Sequence, residues 1–84
     1  MTFRYRRRIL DELANHGVRP TPDTQPEVVH EFVNDLYRFE LRRLRQRHVR
    51  GEIPRQTYSA HVIELRKLYM LVSVPLRLWT RSED

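Results

Sequence analysis

The chain has 84 residues, a net charge of +5 and no cysteine, so it is long enough for one small domain and has no disulfides. A chain of this length buries only about 60–65% of its unfolded surface, so oligomerisation or very good helix packing must supplement the core. The four histidines never form the His-x-x-x-His pair that sets two metal ligands on one helical face. We therefore expect no metal and no cofactor.

Hydrophobic residues are spread too thinly for a membrane segment. No apolar run approaches the roughly 18–20 residues that cross a bilayer. After the basic N-terminal residues, only Ile9 and Leu10 precede Asp11 and Glu12, which is shorter than the apolar core of a signal peptide. The expectation is a cytoplasmic protein without a membrane partner.

Charge is segregated along the chain, and 15 of the 16 basic residues are arginine. Residues 1–8 carry +4, residues 9–37 carry −5, residues 38–55 carry +5 and the remainder carries +1. The protein is therefore expected to be electrically polar along its length rather than uniformly basic.

The first predicted helix covers residues 3–16 and ends at Gly17, where helices commonly take a left-handed residue. The arginines among residues 4–8 oppose the helix dipole, so they either meet an anion or belong to a frayed first turn, and we expect fraying. The apolar face of this helix consists of Phe3, Leu10, Leu13 and Ala14, with Ile9 at its margin.

The second predicted helix covers residues 25–50. Thr24 and Glu27 have capping-box spacing, Pro26 suits a first turn, and Gly51 supplies the stop. Its apolar arc spans about half the circumference, which predicts a helix covered on two sides. The arc consists of Val28, Val29, Phe32, Val33, Leu36, Tyr37, Phe39, Leu41 and Leu44.

The third predicted helix covers residues 54–72 and has a narrow apolar seam at Tyr58, Val62, Leu65, Leu68 or Tyr69, and Val72. The short turn at residues 52–54 makes this helix antiparallel to the second one. The first helix and an apolar tail at residues 76–79 should cover the start of the second helix, including Val28, Val29 and Phe32. The prediction is an all-α fold in a single domain of residues 1–84, with a long antiparallel hairpin, a short N-terminal helix and a C-terminal apolar tail.

Glu40 and Arg43 fall inside the apolar arc of the second helix, where charges are rare unless they are paired. They are expected to pair with each other, or across the hairpin with Arg66 and Glu64. We interpret them as structural rather than catalytic.

A candidate partner surface lies on the back of the third helix, away from its seam. Spare apolar residues there suggest contact with a second copy or with another protein. The leading hypothesis is a small non-enzymatic helical module for protein–protein interaction, with a homodimer as its expected form. The surface residues are Ala60, Ile63, Tyr69 and Met70.

The alternative hypothesis is sequence-nonspecific binding of nucleic acid, because guanidinium groups bind phosphate oxygens in pairs. Two structural interpretations of the same arginines stay open. Arginines also suit the C-terminal end of a helix dipole, and a preference for arginine over lysine also follows from base composition. The cluster consists of Arg38, Arg42, Arg45, Arg50 and Arg55, with Arg6 to Arg8 as further candidates.

Motifs for catalysis are missing from the sequence. With two glycines the chain has no glycine-rich phosphate loop, and no Ser/His/Asp order or carboxylate pair emerges. We expect no catalytic residues, no enzyme activity and no small-molecule substrate.

Overall fold

Three α-helices and two short 3-10 helices make up the fold in the computed structural model, which describes residues 2–81. Helix α1 is Arg7–Asn15, α2 is Pro26–Val49 and α3 is Arg55–Leu68, followed by 3-10 helices at Met70–Ser73 and Leu76–Leu78. The predicted all-α fold, with its antiparallel hairpin of α2 and α3, short N-terminal helix and apolar tail, is confirmed. The molecule is elongated and measures 52 × 17 × 16 Å.

Glycine ends both α1 and α2, as the sequence predicts, with φ of 75° at Gly17 and 84° at Gly51. The N–H of Gly51 donates to the carbonyl of His48 at 3.0 Å, and the N–H of Glu52 donates to Arg47 at 2.9 Å. The same two bonds recur at Gly17 and the residue after it. Each pair satisfies carbonyls at a helix end that would otherwise lack partners.

The N-terminal segment is extended, so the prediction that α1 starts at residue 3 and frays there is wrong. Tyr5 and Thr80 form an antiparallel β-bridge. The N–H of Arg6 donates to Trp79 at 2.9 Å, and the N–H of Arg81 donates to Arg4 at 2.8 Å. Pairing with the tail gives these backbone groups partners that a frayed helical turn would lack.

The apolar face of α1 also differs from the prediction. Ile9 and Leu13 are buried, Leu10 is half-buried and Ala14 is exposed. Because the helix starts at Arg7, its face is centred on a pair four residues apart and does not include Phe3.

The start of α2 lacks the predicted capping box. The N-cap residue is Gln25, which makes no side-chain cap bond, while Pro26 occupies the first helical position as expected. Thr24 Oγ1 instead accepts a hydrogen bond from the Thr21 N–H at 3.0 Å. The threonine therefore closes the preceding loop rather than capping the helix.

The end of α3 comes four residues earlier than the predicted boundary at residue 72. The α-helix stops at Leu68 and the chain tightens into the 3-10 helix Met70–Ser73. This tighter winding places Leu71 in the core, where its side chain is almost fully buried.

The main core lies between α1, the first half of α2 and the C-terminal tail. Trp79 is completely buried, and its Nε1 donates to the carbonyl of Val74 at 3.1 Å. The tail therefore covers α2 as expected, but it covers only one side of that helix. The buried cluster consists of Ile9, Leu13, Val29, Val33, Leu71 and Trp79.

The far end of the hairpin has a much thinner core. Only Leu44 and Ile53 are buried there, and α3 contributes no fully buried side chain. His48 stacks on Tyr58 with ring centroids 4.4 Å apart, and its Nδ1 donates to the Ile53 carbonyl at 2.9 Å. At this end α2 and α3 project together beyond the main core.

No helix within residues 2–81 has both the length and the apolar character needed to cross a bilayer.

Candidate functional surfaces

One face of α2 is exposed along nearly its whole length. Seven positions separated by alternating steps of four and three residues are all exposed, and they lie opposite the side that packs against α1, the tail and α3. We call this face the outer stripe. It consists of Val28, Phe32, Asp35, Phe39, Arg42, Gln46 and Val49.

Four members of the outer stripe are large apolar residues. Val28, Phe32 and Phe39 belong to the apolar arc that the sequence predicts to be covered, and Val49 lies at the end of the helix. Val28 is 59% exposed, Phe32 51%, Phe39 52% and Val49 76%. The prediction that Val28 and Phe32 lie under α1 and the tail is therefore wrong. Because α1, the tail and α3 all pack on one side of α2, the other half of its wide apolar arc has no cover.

Charge on the exposed surface of α2 changes sign midway along the helix. Glu27, Glu31 and Asp35 lie in the first half, and the second half carries Arg42 and Arg45 among other arginines. Asp35 pairs with Arg38 at 3.5 Å. The Arg43 guanidinium carbon lies 5.9 Å from the centre of the Phe39 ring.

The structure brings part of the predicted arginine cluster together. Arg42, Arg45 and Arg50 line an open groove of about 380 Å³ with Gln46 and Val49. Arg50 lies 3.6 Å from Glu52, which also pairs with Arg47 at 3.8 Å.

The five predicted nucleic-acid residues therefore do not form one uniform site. Arg38 pairs with Asp35, and Arg55 lies in the first turn of α3, outside the groove. Within residues 2–81, no carboxylate lies within 4.0 Å of Arg42, Arg45 or Arg55. Within the groove, the charge available for phosphate is carried mainly by Arg42 and Arg45.

The N-terminal arginines lie apart from this groove. Arg7 pairs with Asp11 at 3.5 Å. Arg6 and Arg8 border a second groove of about 360 Å³, whose other lining residues are Ile9, Glu12, Met70, Leu71, Val74 and Leu78.

The predicted partner surface on α3 is exposed at three of its four residues. Ala60, Ile63 and Met70 are exposed, but Tyr69 packs inward. The Tyr69 ring stacks on His16 with centroids 4.3 Å apart, and burial together with the charge of Glu40 raises its pKa. Tyr69 belongs to the packing of the hairpin base rather than to a free surface.

Glu40 and Arg43 do pair with each other, at 3.9 Å, but the pair is not covered. The Arg43 side chain is 62% exposed and that of Glu40 is 39% exposed, while Glu64 pairs with Lys67 at 3.4 Å. The pairing of Glu40 with Arg43 is therefore confirmed, but Glu40 is only half-buried beside α3 and Arg43 is exposed, so the hairpin does not cover the pair. A pair this exposed contributes little stability.

Three histidines have roles that the sequence did not reveal. His16 Nε2 donates to the Leu68 carbonyl at 2.8 Å, and His30 Nε2 donates to the Val72 carbonyl at 3.2 Å. With His48, they satisfy carbonyls where the chain leaves or approaches α3. Their spacing carries no signal, because each partner is a backbone atom fixed by tertiary packing.

Comparisons with protein-family models, curated proteins and solved structures gave no match to this chain. Within residues 2–81, no three His, Asp or Glu side chains converge as a metal-binding group. The candidate surfaces are therefore interpreted from their own chemistry.

Proposed function

We propose that this protein is a non-enzymatic helical module that acts by binding protein, and that its partner is a second copy of its own chain. The observation that carries this proposal is the even division of its large apolar side chains between buried and exposed positions. In the described residues, eight hydrophobic side chains are buried and eight large ones are exposed. A monomer of this size gains little from its core, and burying the exposed set between two copies would add to it.

The lack of buried charged or polar side chains in the described residues supports a binding role over catalysis. Within residues 2–81 no charged or polar side chain is fully buried, and the two groups whose pKa is raised by burial, Tyr5 and Tyr69, both pack against the main core. The grooves described above are open surface features lined mainly by apolar and arginine side chains, with Glu12 in one and Gln46 in the other. Such surfaces suit contact with another protein.

Sedimentation equilibrium between about 1 and several hundred micromolar tests this function, because a reversible dimer of a small module falls in that range. Wild type is expected to dimerise. Two exposed apolar positions are replaced by glutamate to locate the contact: Phe39→Glu on the outer stripe and Met70→Glu on the predicted α3 surface. Leu68→Glu, at another exposed apolar residue that belongs to neither of these two surfaces, is the matched control.

Loss of dimer in Phe39→Glu or in Met70→Glu, with Leu68→Glu unchanged, assigns the contact to one surface. Circular dichroism must show that each variant keeps its helices. A wild-type protein that stays strictly monomeric over the whole concentration range would contradict the proposed function.

A second candidate function, nonspecific binding of nucleic acid, rests on the groove lined by Arg42, Arg45 and Arg50. Arg42 and Arg45 have no carboxylate within 4.0 Å in the described residues, so their charge is free to meet phosphate. Asp35 and Glu31 lie about two to four turns from Arg42 and Arg45 on α2 and repel the same backbone. The phosphate contact would therefore be restricted to the turn end of the hairpin.

Salt dependence provides the test, because the logarithm of affinity falls by about 0.9 per neutralised phosphate for each unit of log salt. The double variant Arg42→Ala/Arg45→Ala should reduce that slope by about two. The control Arg19→Ala/Arg77→Ala removes equal charge away from the groove and should leave the slope unchanged. No binding to duplex DNA or single-stranded RNA at low salt would eliminate this candidate.

A further inference from the structure

We infer that the second copy binds antiparallel along the outer stripe of α2, so that the two α2 helices form the dimer interface. This inference rests on the proposed function and specifies its partner and geometry. The outer stripe has the alternating four-and-three spacing of a helix–helix seam, and every one of its seven positions is exposed. From Val28 to Val49 the seam is about 31 Å long.

The distribution of charge selects the antiparallel orientation. The exposed side of α2 is acidic in its first half and basic in its second half. A parallel pair would place Glu31 and Asp35 beside their own copies and would do the same with Arg42 and Arg45. An antiparallel pair places each acidic half against the basic half of the second copy, which favours association and excludes the other orientation.

The apolar residues fix the register of that pair. A two-fold axis close to Phe39 places the two Phe39 rings side by side, where each ring already lies near its own Arg43 guanidinium. It also sets Val28 of one chain against Val49 of the second copy at both ends of the seam. Phe32 then packs over the aliphatic part of Gln46 of the second copy. All of these side chains are at least half exposed in the single chain or lie at exposed positions.

The same register forms two kinds of ion pair, each occurring twice. Asp35 faces Arg42 of the second copy, and Glu31 faces Arg45 of the second copy on the same flank. Neither arginine has a carboxylate within 4.0 Å among residues 2–81 of its own chain. Arg38 comes close to its own copy near the axis, and Asp35, 3.5 Å from Arg38 within each chain, offsets that repulsion.

The dimer should be weak and reversible. A seam one helix wide, about 10 Å across, covers less than the roughly 800 Å² per chain of a standard stable interface. Polar members at three of the seven positions set the register at some cost in affinity, as polar residues in helix seams do. Association is therefore expected at tens to hundreds of micromolar, with ion pairs that weaken as salt is added.

Charge reversal gives the sharpest test of the orientation. Asp35→Arg alone sets the introduced arginine of each chain against Arg42 of the other, and Arg42→Asp alone sets the introduced aspartate against Asp35. Each variant by itself should dimerise about tenfold or more weakly than wild type, because two attractive contacts become repulsive. An equimolar mixture of the two variants forms mixed dimers without these repulsive contacts and should recover association.

Cross-linking tests the register independently, and the absence of native cysteine makes the experiment clean. Val28→Cys is mixed with Val49→Cys, and the mixture is treated with a short bis-maleimide. The mixed pair should cross-link strongly. Each variant alone should cross-link poorly, because identical sites lie about 31 Å apart in the antiparallel dimer.

The outcomes separate this inference from the proposed function. Recovery in the charge-reversal mixture together with preferential 28–49 cross-linking supports the antiparallel seam. A wild-type dimer with no recovery, or with 28–28 cross-links, keeps the proposed function and overturns the seam. A dimer abolished by Met70→Glu but not by Phe39→Glu also keeps the proposed function and overturns the seam. A strict monomer overturns the proposed function and the seam together.

Discussion

At the scale of single residues, Trp79 is the side chain that joins the separate parts of the main core. It lies close to the end of the described chain, yet none of its surface is exposed. Its ring meets His30 edge-on at 5.4 Å, and its backbone carbonyl accepts from Arg6. One residue thereby links the tail, α2 and the N-terminal segment.

Replacing Trp79 by alanine is expected to destabilise the fold by about 3–5 kcal/mol, the usual cost of emptying a large buried site. Urea unfolding followed by circular dichroism measures this, since the variant has no tryptophan fluorescence. Trp79→Phe keeps most of the volume but loses the bond to Val74, and it should cost about 1–2 kcal/mol. Equal losses in both variants would show that the hydrogen bond, rather than packing, dominates.

Tyr5 fastens the N-terminal segment to the loop before α2. Its hydroxyl donates to the Thr24 carbonyl at 2.6 Å, and only a protonated phenol can do so. Burial, with a smaller contribution from the negative charge of Glu27, raises the pKa of Tyr5. The unfolded chain therefore releases this proton at lower pH than the folded one.

This difference predicts a loss of stability in alkali. Below the unfolded pKa of about 10 both states keep the proton, so the full contribution of Tyr5 is present there. As pH rises above that value, the unfolded state is stabilised by ionisation and the free energy of unfolding falls. Tyr5→Phe should show a shallower decline between about pH 9 and 11 in urea titrations. Identical declines in the two proteins would contradict the role assigned to Tyr5.

At the scale of elements, Gly51 decides where the long helix turns into the hairpin. A Cβ at Gly51 would meet no atom within 4 Å, so the constraint is its backbone φ of 84° and not crowding. The left-handed conformation costs a non-glycine residue about 1–2 kcal/mol. Local sequence is thus sufficient to explain where α2 ends.

Gly51→Ala should therefore lower the free energy of unfolding by about 1–2 kcal/mol, and Gly51→Asn by less, because asparagine tolerates this conformation better. Thermal unfolding of the three proteins under the same conditions provides the comparison. If alanine and asparagine were equally tolerated, the glycine would not be holding the turn through its backbone conformation.

At the scale of the whole molecule, stability is distributed unevenly along a body 52 Å long. One end has the cluster around Leu13, Val33 and Trp79, and the other end has only Leu44 and Ile53 buried. Regions with few buried apolar contacts open more readily. The hairpin end should therefore unfold locally while the main core remains intact.

Amide hydrogen exchange in the monomer, at low protein concentration, tests this expectation. Protection should be greatest in α1 and the first half of α2, and clearly lower in α3, which has no buried side chain. Uniform protection over all three helices would show that the hairpin end unfolds only with the whole molecule. Raising the concentration should protect α2 further if the proposed dimer forms.

Local patterns in the sequence by themselves determined the three helices, the stops at Gly17 and Gly51, and the hairpin. These features depend on side-chain periodicity and on the conformational freedom of glycine, which act within a few residues. The pairing of Glu40 with Arg43 could be predicted for the same reason, because the two residues lie only three positions apart on one helix.

Only the tertiary structure decided which half of the wide apolar arc of α2 is covered and what the N-terminal segment does. Periodicity identifies an apolar face but gives no position for its cover, so Val29 and Phe32 look alike in sequence although one is buried and the other exposed. Likewise, residues near Tyr5 pair with Thr80 across almost the whole chain. A contact between segments so far apart in sequence depends on where the helices bring them, because backbone pairing leaves no local pattern to identify it.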